Sequence, residues 1–114
     1  MSLSVHDPEL GMRFVANNRN LYLKVLGKFV DQQEGAAWEV QTVFEQGDLE
    51  TAHRLVHTLK GLAGTLGMPQ LQETSSNIDV ALKAGQDIGG MIPQLIVDLG
   101  DAIQVSRQYL DVAQ

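Results

Sequence analysis

Between the Gly47-Asp48 pair and Gly67 runs a stretch, Leu49 to Leu66, whose apolar residues recur every three or four positions. That spacing lines one face of an α-helix, whereas a half-buried strand would alternate apolar and polar residues. Gln46-Gly47-Asp48 reads as a stop followed by a cap, and Gly67 as a C-terminal signal. A helix of this kind is held mainly by burying its apolar face, so the rest of the chain must supply elements to pack against it.

The remaining sequence reads the same way. Asp7-Pro8-Glu9 starts a short helix running to about Val15, with Asp as cap and Pro at the first helical position. After the polar Asn17-Asn18-Arg19-Asn20, the residues Tyr22, Val25, Leu26, Phe29 and Val30 recur at helical spacing. Ala36, Ala37, Val40, Val43 and Phe44 continue the series. Glycine is costly inside a helix, so Gly35 marks either a bend in one long helix or a break between two. Pro69 opens a helix carrying Leu71, Thr74, Ile78 and Leu82, which ends at Gly85. Beyond Gly89-Gly90 a last helix runs from about Met91, with Ile92, Leu95, Ile96, Leu99, Ile103 and Leu110 as its buried stripe. Four substantial amphipathic stretches with short connections predict an all-α fold: an antiparallel four-helix bundle with a short additional N-terminal helix. Hydrophobic residues at 44% with aromatics at only 5% fit helices packed on helices better than a β-sandwich. At 114 residues the chain is expected to be one domain spanning 1–114, with the bundle core at about 20–112.

Several function classes recede on composition. The net charge of −6, with no cluster of Lys and Arg, argues against a nucleic-acid partner and reads as solubility. Without cysteine there is neither a disulfide framework nor a thiolate metal site. No apolar run approaches the length of a membrane span, and the N-terminus lacks a basic and apolar leader. No direct membrane contact and a cytoplasmic setting are therefore expected. The opening Met1-Ser2-Leu3 is either native or a remnant of cloning. There is no Gly-rich phosphate loop followed by Lys-Ser/Thr and no kinase catalytic loop, so nothing points to ATP binding.

Turning the Leu49–Leu66 helix at about 100° per residue gathers Ala52, Leu55, Leu59, Leu62, Ala63 and Leu66 into an apolar arc. Glu50, His53, Arg54, His57, Lys60, Gly61 and Gly64 fall on the opposite face. His57 lies about 160° from the Leu59 direction and is expected to point into solvent. Gly61 and Gly64 each cost about 1 kcal/mol relative to Ala on this outer face. A docked partner, or a bulky group reaching the imidazole, gains from the missing side chains; a poorly optimised helix near its C-terminal end is the alternative. Lys60 places a cation one turn beyond His57. His57 stands ten residues before Gly67, and Asp79 about as far beyond it, so a helical hairpin sets the two at similar height. The Asp79 carboxylate, at the border of the stripe of Leu71, Ser75, Ile78 and Leu82, is then within reach of the His57 ring. Such a contact fixes the tautomer and leaves the other nitrogen free as nucleophile. A solvated Asp79 is the alternative.

The stretch His57-Thr58-Leu59-Lys60-Gly61-Leu62-Ala63-Gly64-Thr65-Leu66-Gly67 resembles the signature of histidine-containing phosphotransfer domains. That signature is His, any residue, an apolar residue, Lys, Gly, then small residues to a closing Gly. Tyr22 to Phe29, Gly47-Asp48-Leu49 and Leu71-Gln72-Glu73 are similar to the family's flanking segments, and the likeness covers about 80 residues. The resemblance implies a phosphorelay intermediate: a phosphocarrier, not an enzyme, passing a phosphoryl group between response-regulator receiver domains and a sensor histidine kinase. It implies His57 as phosphoryl acceptor and Lys60 at the phosphate. Gly61 leaves room for the receiver, on a docking face with His53, Arg54 and Gly64. The family usually has Gln or Glu where Asp79 stands, and Asp is one carbon shorter. No cofactor is expected on this chain; Mg²⁺ belongs on the receiver, because no acidic cluster surrounds His57. The chain occurs either alone or as part of a membrane-anchored hybrid kinase.

Two other readings stay open on the residues. His53 and His57, one turn apart, face the same way and form two ligands of a metal site that lacks an obvious third. The chain is otherwise a helical interaction module whose histidine is idle.

Overall fold

The computed structural model describes residues 3–113; Met1, Ser2 and Gln114, and the reading of the first two, lie outside the described residues. Its elements are α1 (Pro8–Arg13), α2 (Arg19–Gln33), α3 (Ala36–Glu45), α4 (Leu49–Leu66), α5 (Pro69–Lys83) and α6 (Ile92–Ala113). Among the described residues there is no strand, so the all-helical expectation holds.

Helix boundaries follow side-chain chemistry. The carboxylates of Asp7 and Asp48 and the amide oxygen of Asn18 accept from the backbone N–H groups of Leu10, Thr51 and Leu21. Each satisfies an otherwise orphaned donor, stabilising its helix by about 1 kcal/mol. Gly35 separates two helices rather than bending one, since α2 stops at Gln33 and α3 begins at Ala36.

The strongest packing is between α4 and α5. Helix α4 also meets α3, and α6 touches α2, α3 and α5. The core is fully buried at Tyr22, Leu26 and Phe29 of α2, Val40 of α3, Leu59 of α4, Leu71 and Ile78 of α5, and Leu95 and Leu99 of α6. Burial of each such side chain contributes about 1.5–3 kcal/mol. On α4 the buried line is Ala52, Val56, Leu59, Ala63 and Leu66. Val56, outside the arc drawn from sequence, is its centre, while Leu55 and Leu62 flank it half-buried. The apolar arc is wider than the seam, and only spacings of three and four from Ala52 stay on the seam.

The N-terminal arm is tied to the α4–α5 turn. The Asp7 N–H donates to the Gly67 carbonyl at 2.6 Å, and the Gln70 N–H donates to the Ser4 carbonyl at 3.0 Å. Gly67 has φ +76°, and a Cβ there would lie 2.1 Å from the Asp7 carbonyl oxygen. A Cβ on Gly11 would lie 2.3 Å from the Leu66 carbonyl oxygen. Glycine is therefore required at Gly67 on both conformational and steric grounds, and at Gly11 on steric grounds.

Candidate functional site

Helix α4 carries the candidate residues on a rigid rod. His57 and Gly61 are exposed, as their phase requires, and nothing lies within 4 Å of where a Gly61 Cβ would stand. Gly64 is different: a Cβ there would come to 3.0 Å from the Gln72 amide nitrogen, so it also serves the fit of α4 to α5. His57, Lys60, Gly61 and Gly64 line a concavity of about 490 Å³ whose far wall is formed by Leu10 and Phe14. The arm contacts to Gly67 and Leu66 hold that wall in place. Reading the sequence missed it. Its signal was the i, i+4 pair Leu10 and Phe14 around Gly11, a glycine inside a short helix.

Asp79 departs from expectation. It is only 1% exposed, and its carboxylate meets His53 rather than His57. Oδ1 lies 2.7 Å from His53 Nε2, and Oδ2 lies 3.4 Å from Lys60 Nζ and 3.2 Å from Lys83 Nζ. The reason is rotational. His53 and Lys60, seven residues apart, lie within about 20° of each other on the edge of α4 facing α5, while His57 sits about 40° further toward solvent. Equal height across a hairpin is thus not enough for contact. Lys83 also escaped the sequence reading, although its i, i+4 spacing from Asp79 is a standard ion-pair signal.

The contact between His53 and Asp79 is close but bent. Nε2 and Oδ1 are both shielded from solvent, and neither has an aligned hydrogen-bond partner. They face each other off the line of an ideal N–H···O bond. Burial by itself pushes the Asp79 carboxyl up, but hydrogen bonds from Lys83 and Lys60, with the charges of Lys83 and His53, hold it below its ordinary value. His53 is 38% exposed at its side chain, so it is less open than a docking-face residue was expected to be. Its ring stacks on that of His57, centroids 5.9 Å apart and planes 28° from parallel. Arg54 is exposed and its charge reaches Asp48 at the start of α4.

Lys60, which lines the concavity with His57, places a cation where an anion could be taken up beside the histidine, and Lys83 shares the neutralisation of Asp79. Among the described residues no group of three or more His, Cys, Asp or Glu side chains is gathered as a metal site. Nor is any helix among the described residues long and apolar enough to cross a membrane.

A family model described as "Hpt domain" matches residues 24–108. The crystal structure of the HPT domain from the Hpt sensor hybrid histidine kinase from Shewanella superimposes with a TM-score of 0.85. It is 24% identical, and the match covers 94% of each chain. No curated protein sequence matches.

Proposed function

Since the chain belongs to the Hpt domain family, we propose that it is a phosphocarrier that receives a phosphoryl group on His57 and returns it to a receiver domain. The observation that carries this reading is the exposed His57 on a rigid helix, with Lys60 alongside and the open Gly61 one turn on. A nucleophile needs its lone pair accessible, and a protein donor needs space to bring its phosphate in line.

In the proposed step an unprotonated imidazole nitrogen of His57 attacks the phosphorus of an aspartyl phosphate on the receiver. The P–N bond forms as the P–O bond to the aspartyl carboxyl breaks, and the carboxylate leaves with the bonding pair. The imidazole then loses its remaining N–H proton to solvent. A receiver-bound Mg²⁺ and the Lys60 ammonium offset the charge of the transferring group. The reverse reaction with a second receiver completes the relay, and a sensor histidine kinase stands upstream. The docking face comprises Gly61 and Gly64 with the exposed Arg54, and His53 at its edge. The chain acts as one domain in the cytoplasm, alone or within a hybrid kinase. The architecture is read as an antiparallel four-helix bundle, with α2 and α3 together forming one arm and α1 added outside.

Incubating the chain with a receiver domain phosphorylated on its aspartate tests the reading. Acid-labile, base-stable label on His57 is the expected result. Absence of label from a range of phosphorylated receivers would leave the idle interaction module as the better account.

A further inference from the structure

Asp79 is a buried carboxylate whose Oδ1 lies 2.7 Å from His53 Nε2, and neither atom has another hydrogen-bond partner. His53 stacks on His57. His57 itself receives no contact from Asp79, although a nucleophilic imidazole on an exposed helix face otherwise samples several rotamers.

We propose that His53 is the positioning residue for His57: Asp79 fixes the His53 ring, and the stacked His53 ring fixes the imidazole of His57. The inference rests on the reading of His57 as the phosphoryl acceptor. Four residues separate the two histidines, which is the spacing at which helix side chains lie one above the other. One edge of the His53 ring lies in the α4–α5 seam against a carboxylate that Lys60 and Lys83 keep ionised, while the His57 ring lies near-parallel beside it, centroids 5.9 Å apart. A short Asp thereby serves an imidazole it does not touch. It reaches only as far as the seam, and the second ring spans the rest. In this arrangement His53 acts on the phosphate only through His57. Its effect falls on how often His57 presents its nitrogen correctly, and hence on the rate of phosphorylation rather than on its extent.

Phosphoramidate tests this without any docked protein. It phosphorylates imidazole directly: the P–N bond to His57 forms, the P–N bond to ammonia breaks, and ammonia departs. The full chain and its His53→Ala, His53→Asn, Asp79→Asn and His53→Ala/Asp79→Asn variants are labelled over a concentration series, and the labelled residue is located by mass spectrometry. Thermal melts of the unlabelled proteins are recorded alongside. We expect wild type to label on His57. Both His53 variants should label on His57 about tenfold more slowly, because a nucleophile held out of line loses rate steeply. Their melting temperatures should stay within a few degrees of wild type. Asp79→Asn should slow labelling in the wild-type background and add at most about twofold once His53 is gone, since the two act through one ring. Wild-type rates in both His53 variants, or full additivity in the double variant, would overturn the positioning role alone. Wild type that stays unlabelled, or that labels at His53, would instead overturn the assignment of His57 and the inference with it.

Discussion

The phenol of Tyr22 donates a 2.7 Å hydrogen bond to the carbonyl of Leu66, joining the first turn of α2 to the last residue of α4. Its single proton is thereby used, so the 2.6 Å contact from His6 requires His6 Nε2 to be the donor. Both aromatic rings also pack edge-on against Tyr109. Tyr22 is fully buried, and burial pushes its phenol well above the ordinary value, aided by Tyr109 and Asp7. Tyr22→Phe leaves the Leu66 carbonyl and the His6 N–H without their shared partner. A loss of about 1–3 kcal/mol in urea unfolding is expected. An unchanged midpoint would show that the bond contributes nothing net.

Acid should destabilise the fold in two windows. Burial lowers the His6 imidazole below its ordinary 6.5 despite the opposing charge of Asp7. The unfolded chain therefore binds the proton first, and stability falls as pH drops from about 6.5 through the folded value. Asp79, held below 3.8, behaves likewise lower down: its contribution is complete above the unfolded value and is lost as pH falls through the folded one. Urea midpoints measured across pH should decline in both windows. His6→Gln should flatten the upper decline and Asp79→Asn the lower. A His6→Gln curve that overlays wild type would remove His6 from the account.

The phase of α4 is tested by neighbouring residues of opposite fate. Leu59 is fully buried, whereas Thr58 is exposed and its hydroxyl only donates back to the Arg54 carbonyl at 3.0 Å. Leu59→Ala should cost about 2–5 kcal/mol through the cavity it leaves, and Thr58→Ala less than about 0.5 kcal/mol. Comparable losses in thermal unfolding would contradict the orientation of the helix.

What could be read in the sequence was what single segments determine. The span Leu49–Leu66 and its caps at Asp48 and Gly67 depend on local chemistry, and so does the outward phase of His57. Partners across the α4–α5 seam depend on how one helix is rotated against the other. No segment records that, which is why Asp79 was matched to His57 by height and meets His53 instead. The arm from Ser4 to Phe14 was legible only as a short helix. Its anchorage needs Gly11 and Gly67 to be close in space, a relation between distant glycines.

Gly61 separates stability from function. A Cβ added there meets nothing within 4 Å, and the position is exposed in mid-helix. Gly61→Ala should therefore stabilise the free protein by up to about 1 kcal/mol. The same methyl group narrows the approach to His57, so transfer from a phosphorylated receiver should slow while labelling by phosphoramidate does not. Gains in both stability and receiver transfer would mean that the glycine is not kept for docking.

The two stacked histidines provide the sharpest discrimination. His53 and His57 share a helix face one turn apart, with ring centroids 5.9 Å apart, so proximity alone does not choose the acceptor. Their nitrogens do differ. His53 turns Nε2 inward to the buried Asp79, which closes that nitrogen to an incoming phosphorus and leaves only its Nδ1. His57 is exposed and opens on the concavity shared with Lys60 and Gly61. His57→Gln should then abolish phosphoryl acceptance from a receiver. His53→Gln should still reach full labelling at long times, more slowly, since it loses a support and keeps the nucleophile. Both proteins should remain folded by circular dichroism, because neither ring belongs to the apolar core. Label that persists in His57→Gln and disappears in His53→Gln would transfer the acceptor role to His53, through its Nδ1 or through Nε2 once the seam at Asp79 opens.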